Sequence, residues 1–188
     1  MNMDRLVIKQ ILGNEQVTLY YVVSLIGKTL VLLIAPINTI VISYLTKRKE
    51  RLTRSQFGKA VLAGGGVSLV FFVACQIGTP LFVWLFYRNL YESVKGIVTV
   101  VNLAQILGLF SAFLFILVLT FTDERWQLWI QLAHFCILLV SSVLAARTYR
   151  MMGFAVASLG ANSLRVAAVV ILGIVKAGKD KGDRNADR

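Results

Sequence analysis

VKGIVTVVNLAQILGLFSAFLFILVLTF, residues 94–121, decides what kind of protein this is. After Lys95 the chain carries no charge until Asp123. The run exceeds the roughly 20 apolar residues that cross a bilayer's hydrocarbon core. It has no polar face to turn towards water, so its solvent is lipid or other apolar helices. Working outward, comparable runs lie at 17–45, 67–86, 126–146 and 154–175, each between charged stretches. Together they make five expected spans. Hydrophobic residues are 57% of the chain and charged residues 15%, where a soluble domain exposes far more charge. The expected fold class is all-α, a polytopic transmembrane helical bundle over 17–175. A partial or interfacial helix over 1–16 precedes it, looking like the last turns of a longer helix. A polar tail over 176–188 follows and is expected to be disordered.

A net charge of +11 invites a nucleic-acid reading. The basic residues, however, sit beside apolar spans, where they set orientation or meet anionic lipid, and no nucleic-acid partner is expected. Lys47, Arg48, Lys49, Arg51, Arg54 and Lys59 form the strongest cytoplasmic signal. Five spans put that loop on the side of Arg125 and of the basic tail. The larger share of Lys and Arg then falls inside, giving N-terminus out and C-terminus in across a cytoplasmic membrane. Arg147 and Arg150 oppose this orientation. Trp126 and Trp129 mark one interface, and Trp84, Tyr87 and Tyr91 the other.

Small residues four apart let helices approach closely in lipid. Ala104, Gly108 and Ala112 form one such stripe, and Gly153, Ala157 and Ala161 another. Gly64–Gly66 read as a flexible entry to the second span. Pro36 and Pro80 each remove a backbone donor inside a span. The kinks expected there either line a cavity or serve packing alone.

Polar groups inside spans carry the functional signal. A charge at membrane depth costs about 2.5–3.5 kcal/mol on insertion scales and turns to a polar interior. Lys28 and Arg165 are the two embedded cations. With no acid in any of the five spans, neither is expected to find a partner in this chain. Lys28 either faces a cavity or snorkels to the interface. Arg165 continues the Gly153–Ala157–Ala161 spacing and is expected to face inward. Asn38 falls near the Ser24–Lys28 face of the first span. Asn102 and Gln105 pair one turn apart on the third, and Gln131 and His134 follow helical spacing on the fourth. Lys28, Arg165, Asn38, Asn102, Gln105, Gln131 and His134 are therefore the candidate substrate-binding residues. His134, the only histidine, reads as an interhelix hydrogen bonder more readily than as a proton relay.

Catalytic patterns are missing. No Ser/His/Asp or Cys/His set, phosphate-cradling glycine loop or paired intramembrane carboxylates occur. Asp123 and Glu124 read as a solvated turn. Cys75 and Cys136 lie within spans and offer neither a disulfide framework nor a zinc signature. No enzyme activity, metal or cofactor is expected.

The order of these features resembles a family. Asp4-Arg5-Leu6-Val7-Ile8, Ile11-Leu12-Gly13 and the Val17–Val23 run with Tyr20 and Tyr21 come first. The basic loop Lys47–Arg54 follows, then Thr79-Pro80-Leu81 through Leu85-Phe86-Tyr87 and Tyr91, then Arg150-Met151-Met152-Gly153-Phe154-Ala155-Val156-Ala157. In this order the chain resembles the C-terminal part of polysaccharide flippases of the multidrug/oligosaccharidyl-lipid/polysaccharide exporter superfamily, which export O-antigen and capsule units. The resemblance runs to about Val175 and implies the second of two pseudo-symmetric lobes. It implies a substrate of undecaprenyl-diphosphate-linked sugar, moved between leaflets by one lobe rocking against another. One lobe cannot enclose the cavity between two, so a complementary N-terminal lobe or self-association is implied as well. The alternative expectation is a non-transporting membrane assembly or interaction subunit, in which Lys28 and Arg165 pair with a partner's acids.

Overall fold

Gly13 divides the first stretch of chain into two helices. Its φ of +87° is the left-handed conformation that glycine adopts without steric cost, and its N–H returns to the Lys9 carbonyl at 3.2 Å. The computed structural model describes residues 3–47, 53–119 and 122–183. The fold is all-α, with no strand among the described residues. Its helices are α1 (Met3–Leu12), α2 (Asn14–Lys47), α3 (Arg54–Phe86), α4 (Arg88–Val94), α5 (Val98–Leu119) and α6 (Glu124–Asp183).

Local sequence explains the ends. Thr53 opens α3 with a capping box: its hydroxyl accepts from the Gln56 N–H at 3.3 Å, and the Gln56 side chain accepts from the Thr53 N–H at 3.2 Å. Tyr87, at φ −136° and ψ 46°, breaks α3 from α4. The basic loop read as cytoplasmic has its centre, residues 48–52, outside the described residues.

α6 is a hairpin of two arms. Tyr149 and Arg150 leave helical dihedrals, with Arg150 at φ 52° and ψ −134°. On a straight helix His134 and Asn162, 28 residues apart, would stand about 42 Å apart, yet their side chains meet at 3.1 Å. Lys176 lies 5.6 Å from the Trp126 ring centroid, which brings the far ends of the arms together. A β-carbon at Gly153 would run into the Ala145 carbonyl, so the missing side chain admits the tight return. The arms, 124–148 and 151–183, correspond to the expected runs at 126–146 and 154–175.

α5 is the central helix. It packs most extensively on α6, then on α3 and α2. Near its start Val98 and Val101 join Ile8, Val22, Val23, Val83 and Phe154 in one apolar cluster. Near its end Leu114, Leu117 and Val118 join Phe57 and Val169 in another. α3 does the opposite and turns outward Leu62 (77% exposed), Val67, Leu69, Val70, Val73, Ile77 and Leu81. Apolar side chains inside and out are the pattern of helices solvated by lipid, since exposing such a face to water forfeits about 25 cal/mol per Å². Among the described residues, Arg54–Phe86, Val98–Leu119 and Arg125–Ala177 are long and apolar enough to cross a membrane, and the last contains both arms of α6. This is the character of a membrane protein.

Several expectations change. Gly64–Gly66 are not a flexible entry; α3 begins at Arg54 and runs through them, and a β-carbon at Gly64 would lie 2.7 Å from the Phe113 ring. Pro80 lies inside α3 and Pro36 inside α2, as their places within the runs implied. The third run starts at Val98 because α4 and the turn after it come first. The tail read as disordered from residue 176 continues α6 to Asp183, and 184–188 lie outside the described residues. α1 is no loose interfacial piece: Ile8 is fully buried, and the helix packs on α6 and α2.

Candidate functional site

Between the two apolar clusters, α1, α2, α5 and the arms of α6 leave a half-open cavity of about 520 Å³. α5 contributes Ala104 and Gln105 from its middle. The first arm of α6 contributes Gln131 and His134, and the second Ser158, Asn162 and Arg165. Asp4 and Tyr20 line it from α1 and α2. Leu128, Leu132, Phe135 and Leu138 make an apolar wall, and Leu128 is 70% exposed on the lipid side. The chamber is thus amphipathic, with polar groups and a cation against hydrocarbon.

The hydrogen bonds fix its polar groups. Asn162 donates to the Ala104 carbonyl at 2.8 Å. Its Oδ1 is then the acceptor towards His134, so the His134 Nε2–H donates across the hairpin at 3.1 Å. Gln105 donates to the Ser24 carbonyl at 3.3 Å, where the absent side chain of Gly27 leaves room for its amide. His134 acts here as an interhelix hydrogen bonder. Among the described residues no three His, Cys, Asp or Glu side chains gather as a metal site.

Arg165 has no carboxylate partner among the described residues. Its Cζ stands 5.4 Å from the Phe115 ring centroid, and its Nε is buried without a hydrogen-bond partner. A guanidinium held at depth with unspent donors is a ready anion site.

Lys28 corrects the expectation that neither embedded cation has a partner in the chain. Its Nζ lies 2.5 Å from Asp4 Oδ2, in the first turn of α1. The acid comes from outside the long apolar runs, through α1 folding back on the bundle. The same ammonium lies 5.6 Å from the Tyr20 ring centroid, and the Tyr20 ring meets Phe154 edge-on at 5.3 Å.

No protein-family model, curated protein or solved structure matches this chain. The site therefore stands on its own geometry. That geometry brings together Arg165, Gln105, Gln131 and His134, with Lys28 behind Asp4. It does not bring in Asn102 or Asn38. Asn102 is fully buried between α3 and α5, donating to the Cys75 carbonyl and the Gln76 Oε1, both at 3.1 Å, and accepting from Thr79 at 3.2 Å. It does not pair with Gln105, which turns to α2. Asn38 lies outside the cavity wall, its Oδ1 buried without a partner.

Asp4 and Tyr20 enter the sequence reading only within the motifs that carry the resemblance, and Ser158 and Asn162 not at all. Ser158, Asn162 and Arg165 share one helical face at four- and three-residue spacing, a signal legible beside the small-residue stripe. Asp4 gave none, since its partner is distant in sequence. Away from the cavity, Lys95 pairs with Glu92, whose hydrogen bond and then its charge raise the ammonium pKa. That pair is exposed and contributes little.

Proposed function

We propose that this chain is a flippase-like membrane transport protein. Its cavity takes the anionic head of a lipid-linked substrate, and the resemblance noted above points to a lipid-diphosphate-linked oligosaccharide. The observation that carries the reading is Arg165, a cation without a counter-ion among the described residues, in a half-open chamber whose other wall is apolar. A guanidinium grips phosphate oxygens through paired N–H groups, and amides beside it take sugar or phosphate oxygens. The apolar wall lets a prenyl chain leave into lipid. The role is binding and movement.

In this reading α2, α3, α5 and the two arms of α6 are five spans across a cytoplasmic membrane, with the N-terminus outside and the C-terminus inside. The cavity's open side meets a complementary lobe or a second copy. The half-open mouth also favours a second reading, a membrane assembly subunit in which a partner's acid meets Arg165.

The test is binding of farnesyl diphosphate to the detergent-purified protein. Saturable binding that Arg165→Gln removes while the protein stays folded supports transport of an anionic lipid. Wild-type protein that binds no farnesyl diphosphate but co-purifies with an acidic membrane partner, lost in Arg165→Gln, establishes the second reading instead.

A further inference from the structure

The Asp4–Lys28 pair sits at the edge of this cavity, and the way it is held has a consequence for ligand binding. We propose that Asp4 is an internal stand-in for the ligand. When a multiply charged phosphate head group enters beside Arg165, one of its anionic groups replaces Asp4 on Lys28, and the hold on the first turn of α1 is loosened while Ile8 stays in the core. This inference rests on the anion-binding reading of the cavity.

Four observations support it. First, the pair is not sealed: the Lys28 and Asp4 side chains are 27% and 20% exposed, and Asp4 itself lines the cavity. An entering anion reaches the place Asp4 holds without unfolding the core. Second, only one oxygen of Asp4 is firmly held. Oδ2 meets Lys28, whereas Oδ1 is buried without a well-formed hydrogen bond, and the Tyr20 hydroxyl is a weaker neighbour of the carboxylate. A buried acceptor held this loosely carries a desolvation cost that leaving the site relieves. Third, Lys28 keeps a support after Asp4 leaves, because the Tyr20 ring lies 5.6 Å from its ammonium and is itself fixed on Phe154. Fourth, α1 is ten residues long and joined to α2 through Gly13, where a β-carbon would meet nothing within 4 Å. That joint has room to turn.

Charge balance then sets the selectivity. With Asp4 on Lys28, the uncompensated charge in the cavity is that of Arg165 alone. A monoanion neutralises Arg165 and leaves Asp4 in place. A diphosphate retains charge after meeting Arg165, and Lys28, paired to the cavity-lining Asp4, is placed to receive it. The surplus charge repels Asp4 while it attracts Lys28, so both terms drive the exchange in one direction.

The experiment follows hydrogen–deuterium exchange over residues 4–13 of the full chain in detergent. The probes are farnesyl diphosphate, inorganic pyrophosphate and decyl sulfate, each at saturation. Exchange across α1 is expected to rise several-fold with farnesyl diphosphate and to stay at the ligand-free level with decyl sulfate. A rise with pyrophosphate as well assigns the trigger to the phosphates alone. A rise with farnesyl diphosphate only assigns it to a lipid-borne head group. Asp4→Asn is expected to bind farnesyl diphosphate about tenfold more tightly, on the scale of one freed charge-assisted hydrogen bond, and adding Lys28→Gln is expected to cancel that gain. Binding that Arg165→Gln abolishes, with α1 exchange unchanged in the wild type, overturns the counter-ion exchange and leaves the cavity reading intact. Absence of any Arg165-dependent binding overturns both. The wild-type exchange measurement needs no variant to fold.

Discussion

His134 and Asn162 join the two arms of α6 at 3.1 Å, and Asn162 passes the connection on to the Ala104 carbonyl of α5 at 2.8 Å. One amide thereby holds three helical segments around the cavity. Gly108 faces the same amide: a β-carbon there would lie 3.4 Å from Asn162 Nδ2, in ordinary contact. Asn162→Ala removes both bonds and leaves His134 unpaired, while the Ala104 carbonyl keeps its bond within α5. Loss of about 1–2 kcal/mol is expected, read as a lower thermal midpoint in detergent. His134→Ala removes one bond and is expected to cost less. Equal losses would mean that the Ala104 contact carries no stability.

Asn102 is tied into the seam between α5 and α3. Its three hydrogen bonds reach only α3. Asn102→Leu strands Thr79 and Gln76 in a buried seam, and a loss of about 2 kcal/mol or more is expected. Farnesyl diphosphate affinity of the folded fraction should stay at the wild-type value. A selective loss of affinity at unchanged stability would place Asn102 on the ligand instead.

The ion pair of α1 has a stability signature of its own. Lys28→Gln leaves Asp4 charged and unpaired, and Asp4→Asn does the same to Lys28. Breaking a fully buried pair costs about 3–5 kcal/mol, and this pair, partly exposed, should cost less. The double variant is expected to be more stable than Lys28→Gln alone, since no naked charge remains. Additive losses in a double-mutant cycle would contradict a direct pair.

Arg150 is a strained corner. A φ of 52° with ψ −134° is a conformation that glycine tolerates and a side chain does not. Arg150→Gly is expected to stabilise the hairpin by about 1 kcal/mol. Gly153→Ala, beside it, should destabilise by driving a methyl group against the Ala145 carbonyl. Circular dichroism melts of the two variants should shift in opposite directions.

Arg165 separates charge from shape. Arg165→Gln should insert and accumulate normally, because removing a charge favours insertion. Glycan-precursor export by the assembled system should fall sharply. Arg165→Lys should recover only part of it, lacking the planar fork. A fall in abundance that tracks the fall in export would reveal a structural role.

The apolar runs by themselves determined the all-α class and the break between the arms of α6. Long uncharged stretches leave the backbone no solvent but itself, and Arg147–Gly153 interrupts them with charge and a small residue. Even the inward place of Arg165 was legible, because helical spacing ties it to the Gly153 stripe. Which polar group meets which was not. Asn102 and Gln105 are three residues apart on one helix, yet one bonds α3 and the other α2, since the choice belongs to whatever backbone lies opposite. Asn38 shares the Lys28 face by spacing but lies beyond the cavity. Above all, Lys28 reads as unpaired in the sequence because no acid lies along the spans. Its counter-ion arrives from α1, swung back by one positive φ at Gly13, and only the tertiary fold brings charges 24 residues apart to 2.5 Å.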